Sequence, residues 1–430
     1  MTTDLIARRA QRLGPNLPTF YDDPVHIVRG EGAHLWDADG RRYIDCYNNV
    51  AHVGHCHPHV VEAIARQAAT LNTHTRYLHE GILDYADRLT AYFRHDLSQV
   101  LFTCTGSEAN DVALRMAQAV TGKTGFIATD NTYHGNTTAV AHLSTRRPPI
   151  GGWPDHIRRV PAPDSITPLG GSLAAQPQAF AEGVAKAIAE LKAADHGFAG
   201  IMLCPVFANE GLPEVTEGFL TPTVEVVRRA GGLILCDEVQ PGFGRIGNAF
   251  WGHERLGFAP DVVTLGKPMA NGHPVAAVVT RPDIMAAFRE AFGYFNTFAG
   301  NPVSMAAAAA TLDVIEAEAL ARHGEIIGAH LLDGMNALIH PQIASLRGAG
   351  MFLAMEFSDA LGPNGAPIPH SANALCGRIV EGMRARGVLL GRVGRQQHIL
   401  KLRPPMPFGP DEARDVLAAL GDCLESEQTA

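Results

Sequence analysis

Between residues 100 and 280, short uninterrupted apolar runs alternate with stretches of helical periodicity. The runs are VLFTC (100–104), GFIAT (125–129), GIMLCPV (200–206), GLILCDEV (232–239), DVVTLGK (261–267) and PVAAVVT (274–280). Apolar runs of this length without alternation are the pattern of parallel strands covered on both faces. Helical patterns at 108–120, 180–192 and 219–230 lie between them. The alternation predicts a doubly wound α/β layer built on a mostly parallel sheet.

The flanks read differently. Up to about residue 45 the chain looks like an arm of short strands, within VHIVRGEG and AHLWDADGRRYIDC, with a hairpin turn at Ala38-Asp39-Gly40. A helix is predicted at 59–71, and the alanine-rich stretch 303–320 predicts a long helix leading out of the α/β layer. Beyond it come a strand (MFLAMEF), a helix at 373–386, strands in GVLLG and HILKL, and a final helix from 411, a smaller α+β unit. The expected division is an N-terminal arm at 1–58 that serves the small domain and an interface, a large domain at 59–320, and a small C-terminal domain at 321–430. There is no low-complexity linker and no internal repeat.

Composition narrows the function class. Of the 430 residues, 46% are hydrophobic and 18% charged, against a usual charged share of about 25%. Much of the surface is therefore expected to be buried, some of it between subunits. Thirty-five basic against 44 acidic residues leave a net charge of −9, the wrong balance for a nucleic-acid binder. No apolar stretch approaches the about 18 residues of a membrane span, and MTTDLIARRAQRLGPNL has no apolar core of a secretory signal. Seven cysteines, an odd number with no C-x-x-C, argue against a disulfide framework and for a reducing cytoplasm. Only five lysines occur: Lys123, Lys186, Lys192, Lys267 and Lys401.

Ligands bind outside the carboxyl ends of strands in open parallel sheets. Three successive predicted strands end in Cys204, in Asp237-Glu238 and in Lys267. An acid and a lysine on one rim suit pyridoxal phosphate: the lysine forms a Schiff base with the cofactor aldehyde, and the aspartate pairs with the protonated pyridine nitrogen. Taken alone, each also reads as an ordinary strand-end residue. Thr105-Gly106-Ser107-Glu108 lies between a strand and a helix, where free amides and a glycine suit a phosphate; an N-cap in which Ser107 closes the first turn explains it equally well. Tyr133-His134-Gly135 offers an aromatic for a flat ring, or a buried strand-end tyrosine.

GSEAN, YHG, DEVQPGFGR, LGKPMANGHP and FNTFAGNP stand in the order and spacing of the class III (omega) aminotransferases, and over roughly residues 20–420 the chain resembles that family. The resemblance implies a fold-type-I, pyridoxal 5'-phosphate-dependent enzyme, a large doubly wound α/β domain with a smaller α+β domain, and a dimer or dimer-based tetramer with sites at the subunit interface. It implies Lys267 as the Schiff-base lysine, Asp237 as the partner of the ring nitrogen, and Gln240 as the hydrogen bond to the ring hydroxyl. Gly106 and Ser107 match the phosphate cup, Tyr133 and His134 the ring-stacking pair, and Thr297 the threonine that reaches the neighbouring subunit's phosphate. Val239 matches a position behind the ring. The histidines in His52-Val-Gly-His55-Cys-His57-Pro-His59 have a metal-like spacing, but the family carries a similar segment at its active-site entrance, so no metal is expected.

The chain departs from the family's keto-acid pattern. The glutamate of the E-P-V strand end aligns with Cys204 and the switching arginine with Lys401, with Arg403 two residues on and facing the same way on a strand. YIDCYNNVAHVGHCHP, LNTHTRYLHE and GKPMANGHPV look similar to the ethanolamine-phosphate and hydroxylysine-phosphate phospho-lyases, where Arg76 replaces an apolar residue. Arg76, Lys401 and Arg403 are the candidate phosphate ligands, with Asn48 and Asn49 as neutral donors. The expected activity is elimination of phosphate from a phosphorylated amino alcohol, O-phosphoethanolamine foremost, to acetaldehyde, ammonia and phosphate. An omega-aminotransferase acting with a keto acid such as pyruvate is the alternative, and a non-catalytic cofactor-binding protein a third reading.

Overall fold

The computed structural model describes residues 2–94, 96–144, 147–247 and 249–428. The first strands are three short antiparallel ones, β1 (Ile27–Glu31), β2 (His34–Asp37) and β3 (Arg42–Asp45). Their second turn is shaped by Asp37 Oδ1, which accepts the amides of Asp39 and Arg41 at 3.0 and 2.9 Å, and by Gly40 at φ 84°.

Seven strands form the central sheet: β4 (Gln99–Thr103), β5 (Phe126–Thr129), β6 (Ile157–Val160), β7 (Gly200–Leu203), β8 (Leu233–Asp237), β9 (Val262–Leu265) and β10 (Ala276–Thr280). Their spatial order is β4-β10-β9-β8-β7-β5-β6, and β10 alone runs against the rest. Every residue of β5, β7, β8, β9 and β10 is buried. Because successive side chains point to opposite faces, these strands feed two cores. Ile127, Leu203, Ile234, Val263 and Val279 join one cluster, and Phe126, Met202, Leu235, Val262 and Val278 the other. That double burial explains why the strands carry no polar alternation.

C-terminal to this layer, β11 (Ile343–Ala349), β12 (Phe352–Phe357), β13 (Val388–Leu389), β14 (Gly391–Val393) and β15 (Ile399–Leu402) follow. Four of them make an antiparallel sheet of order β11-β12-β15-β14, while β13 pairs in parallel with β3 and so ties the two chain ends into one sheet. This is the fold-type-I α/β architecture.

Several elements differ from expectation. The N-terminal arm opens with a helix, Thr2–Leu13. The edge strand β6 reads IRRV, and its two arginines hide the apolar pattern. The helix expected at 303–320 runs Pro302–Ala317; Ala319, at φ 48°, breaks it, and a second helix covers Leu320–Asn336. Among the described residues no helix is long and apolar enough to cross a membrane.

Candidate active site

Strands β8 and β9 are parallel neighbours with Asp237 opposite Thr264, so Asp237 and Lys267 leave the sheet on the same rim. Asp237 is held from three sides. Its Oδ2 accepts from His134 Nδ1 at 2.7 Å and Asn110 Nδ2 at 3.0 Å, and its Oδ1 accepts from the Val239 amide at 3.0 Å. Burial pushes its carboxyl up, but the His134 hydrogen bond and charge, the Val239 amide and Lys267 outweigh it and hold the group below the usual carboxylate range. Asp237 is thus an oriented anion in a buried position. At Lys267, burial lowers the amine's hold on its proton, Asp237 pulls the other way, and Arg403 adds to the lowering; the net direction is down. A buried lysine of that kind has free amine to offer an aldehyde. Its backbone, at φ 20°, lies outside the ordinary wells of an L-residue.

Helix Gly106–Thr121 begins at the same rim, and its cap is Thr105, not Ser107. Thr105 Oγ1 accepts the Glu108 amide at 3.2 Å and Glu108 Oε2 accepts the Thr105 amide at 2.9 Å, a reciprocal capping box. Ser107 is left facing the cavity, its Oγ accepting the Asn136 amide at 3.1 Å. The close approach here excludes side chains. A Cβ on Gly106 would lie 3.1 Å from Val239, and one on Gly135, at φ 144°, would lie 2.6 Å from Ser107 Oγ. Amides, a hydroxyl and two enforced glycines at a helix start are a phosphate cradle. With Asp237 and Lys267 beside it, the residues present fit pyridoxal phosphate.

Tyr133 is half-buried and lines the cavity. His134, expected in the ring-stacking pair, also lines the chamber and is tied at its ring edge. Both its ring nitrogens are engaged, Nδ1 with Asp237 and Nε2 with Thr132 Oγ1 at 3.0 Å. Since the carboxylate only accepts, Nδ1 carries the proton and the ring acts as a positioning group for Asp237.

The cradle opens through Tyr133, Asn209, Gln240 and Lys267 into a cavity of about 480 Å³. Lys401, Arg403 and Arg392 line it together with Lys267, and among the described residues no aspartate or glutamate does. Gln240 Oε1 accepts from Arg403 Nη1 at 2.9 Å and from Lys401 Nζ at 3.5 Å, so a guanidinium and a lysine nitrogen converge on one neutral oxygen. Beneath them, burial drives the Cys204 thiol well up, with Asp237 and Glu210 adding to it. The position where keto-acid enzymes carry a glutamate is therefore uncharged. Arg403 also stacks 4.5 Å from the centre of Tyr47, which packs against Phe20 at 4.4 Å.

Not every expected ligand reaches this cavity. Arg76 and Thr297 are exposed and line neither chamber; the Arg76 guanidinium lies 4.0 Å over the ring of Phe295, two residues before Thr297. Asn48 serves its own turn, its Oδ1 accepting the Val50 amide at 3.2 Å, and Asn49 is buried off the cavity. Their neighbour Tyr47 lines it instead. The histidine-rich segment disperses: His52 to the Phe243 carbonyl, His55 to Asp45, His57 to Glu318 and His59 to Asp313. The buried trio Cys236, Glu238 and His253 lies close enough for a metal, but Glu238 already accepts the Gly252 and His253 amides and the His253 ring.

Sequence reasoning missed Asn110, Asn209, Tyr47, Phe20 and Arg392. Asn110 had a signal, since it lies in GSEAN one helical turn beyond Gly106; the others sit on loops or a short strand without one.

The family description Aminotransferase class-III matches residues 20–424. The chain belongs to that family. Its cofactor is pyridoxal 5'-phosphate. Among its relatives, an alanine–glyoxylate aminotransferase 2-like protein of Drosophila melanogaster is 37% identical over 436 residues, covering 98% of this chain and 87% of that protein. An ethanolamine-phosphate phospho-lyase homolog of Caenorhabditis elegans is 33% identical over 440 residues, covering 98% and 93%. A solved phospholyase from Arthrobacter in complex with phosphoethanolamine superposes with a TM-score of 0.93 at 40% identity, covering 98% of this chain and all of that one.

Proposed function

We propose that this class-III family member is a phospho-lyase that removes phosphate from a phosphorylated amino alcohol, O-phosphoethanolamine foremost. The observation that carries the reading is the cavity beside Lys267, lined by Lys401, Arg403 and Arg392 and, among the described residues, by no acid. A phosphomonoester brings about two negative charges at neutral pH, and that lining neutralises them. The Arthrobacter relative's bound phosphoethanolamine supports the same assignment.

In this reading Gly106 and Ser107 hold the cofactor's phosphate, Tyr133 covers the ring, Val239 backs it, Gln240 meets the ring hydroxyl and Asp237 the ring nitrogen. When bound, pyridoxal phosphate supplies an electron sink. Lys267 would hold the cofactor's aldehyde and, with its amine free, would remove the proton from the carbon bearing nitrogen. Arg403 and Lys401 hold the phosphate on the adjacent carbon, from which it departs. The enamine left behind hydrolyses to acetaldehyde and ammonia, so no amino acceptor is consumed. Seven unpaired cysteines, five of them buried, suit a reducing compartment such as the cytoplasm.

An omega-aminotransferase reading shares every cofactor contact, and the Drosophila relative's name favours it. A matched set of O-phosphoethanolamine, ethanolamine and β-alanine separates the two. The phospho-lyase turns over the phosphorylated amine without a keto acid and ignores the others; alanine formed from pyruvate with β-alanine, and no phosphate release, overturns it.

The functional unit in this reading is a homodimer or a dimer-based tetramer. Arg76 and Thr297 stand off the cavity on a face where Tyr77, Leu78 and Phe298 are 67%, 102% and 71% exposed, and a second copy brings both to a site. Thr297→Ala then weakens cofactor retention by about 1.5–3 kcal/mol, the scale of a hydrogen bond to a charged group. Sedimentation of an active monomer at assay concentration contradicts this.

A further inference from the structure

We infer that Lys401 is the acid that protonates the leaving phosphate. The inference rests on the phospho-lyase reading and adds a chemical role to a residue so far only placed near the anion.

Elimination moves three electron pairs. The carbon bearing nitrogen gives its proton to Lys267, the C–H pair becomes the second bond between the two carbons, and the C–O bond breaks with its pair on the bridging oxygen. A substrate phosphate that enters with about two negative charges would leave with three unless a proton reaches that oxygen. The missing proton has to come from a group at the anion end of the cavity. Arg403 and Arg392 line that end, but guanidinium groups keep their protons. Lys401 is the ammonium there.

Its geometry suits the task. Lys401 lies on β15, opposite Ala354 of β12 and Gly391 of β14, and is 5% exposed. Its Nζ donates to the Ala208 carbonyl at 2.5 Å and reaches Gln240 Oε1 at 3.5 Å, beside the Phe352 ring at 4.9 Å. Among the described residues it forms no ion pair. The charged and titratable groups that face it are Arg403 just past the end of its strand, Lys267 beyond β9, and Cys204 and Glu210 beyond β7. Burial, then Arg403, push its proton affinity well below that of a free lysine, and Lys267 adds to this; Cys204 and Glu210 oppose them only in part. An arriving dianion opposes that lowering and favours the protonated form of Lys401. In the step itself the Nζ–H bond breaks, an O–H bond forms, phosphate leaves with two charges, and Lys401 is left as a neutral amine to be reprotonated from solvent.

The test uses the cofactor-loaded enzyme and Lys401→Arg, which keeps the charge and cannot give up the proton. With O-phosphoethanolamine, kcat falls by about 10²-fold or more while KM changes little, and the alkaline decline of the wild-type kcat disappears. With 2-chloroethylamine, whose chloride leaves unprotonated, the variant's loss is far smaller. A measurement independent of turnover is calorimetry of inorganic phosphate binding in two buffers of different ionisation heat. The wild type takes up more protons than Lys401→Arg. Equal kcat for wild type and variant, or equal proton uptake, overturns the role of Lys401 and hands the proton to Lys267 or Tyr47. A wild-type enzyme that releases no phosphate is a different failure, that of the phospho-lyase reading.

Discussion

Lys267→Ala yields a protein that neither retains the visible absorbance of the bound cofactor nor turns over, with kcat lower by about 10⁴-fold, the scale on which loss of an essential base registers. Two lysines line the large cavity, so the choice between them rests on geometry. Lys267 also lines the chamber of Gly106, Ser107, His134 and Asp237; Lys401 does not. The same substitution at Lys401 therefore leaves the cofactor's absorbance in place. Mapping the reductively trapped cofactor by mass spectrometry checks the assignment, and a label on Lys401 contradicts it.

Arg403→Ala costs about 2–4 kcal/mol in kcat/KM for O-phosphoethanolamine, as expected for removing one donor from a developing anion. Its planar fork meets a phosphate with two N–H groups. In the resting protein that fork is parked on Gln240 Oε1 at 2.9 Å, a neutral acceptor that the substrate's charge displaces. The absorbance of the bound cofactor is expected to stay. A variant with unchanged kcat/KM removes Arg403 from the phosphate subsite.

The contrast between Arg403 and Arg76 shows what the amino-acid sequence made legible. Strands buried on both faces announce themselves as apolar runs, so Asp237, which ends β8, and Lys267, two residues past β9, could be found and placed on one rim. The phosphate turn was legible too, but its detail was not: Thr105 and Ser107 are both plausible caps by residue type, and only the capping box assigns the job to Thr105. Substrate ligands were harder. Lys401 on β15 and Arg403 just past its end were read as facing one way and both reach Gln240, whereas Arg76 came from resemblance alone and stands outside the cavity of its own chain. Tyr47, Asn209 and Arg392 come from segments that meet only through the sheet order, because β13 pairs with β3 and β15 lies between β12 and β14. No local pattern encodes such a meeting. His134 was legible as part of the site, yet its bond to Asp237 depends on a contact 103 residues away in the chain.

The central claim is that this cofactor machinery ends in phosphate expulsion rather than amino transfer. The most direct measurement follows inorganic phosphate and acetaldehyde together, from O-phosphoethanolamine and the cofactor-loaded enzyme, with no keto acid present. The account predicts that both appear continuously and in equal amounts. Amine consumption that requires pyruvate and yields alanine without phosphate contradicts it.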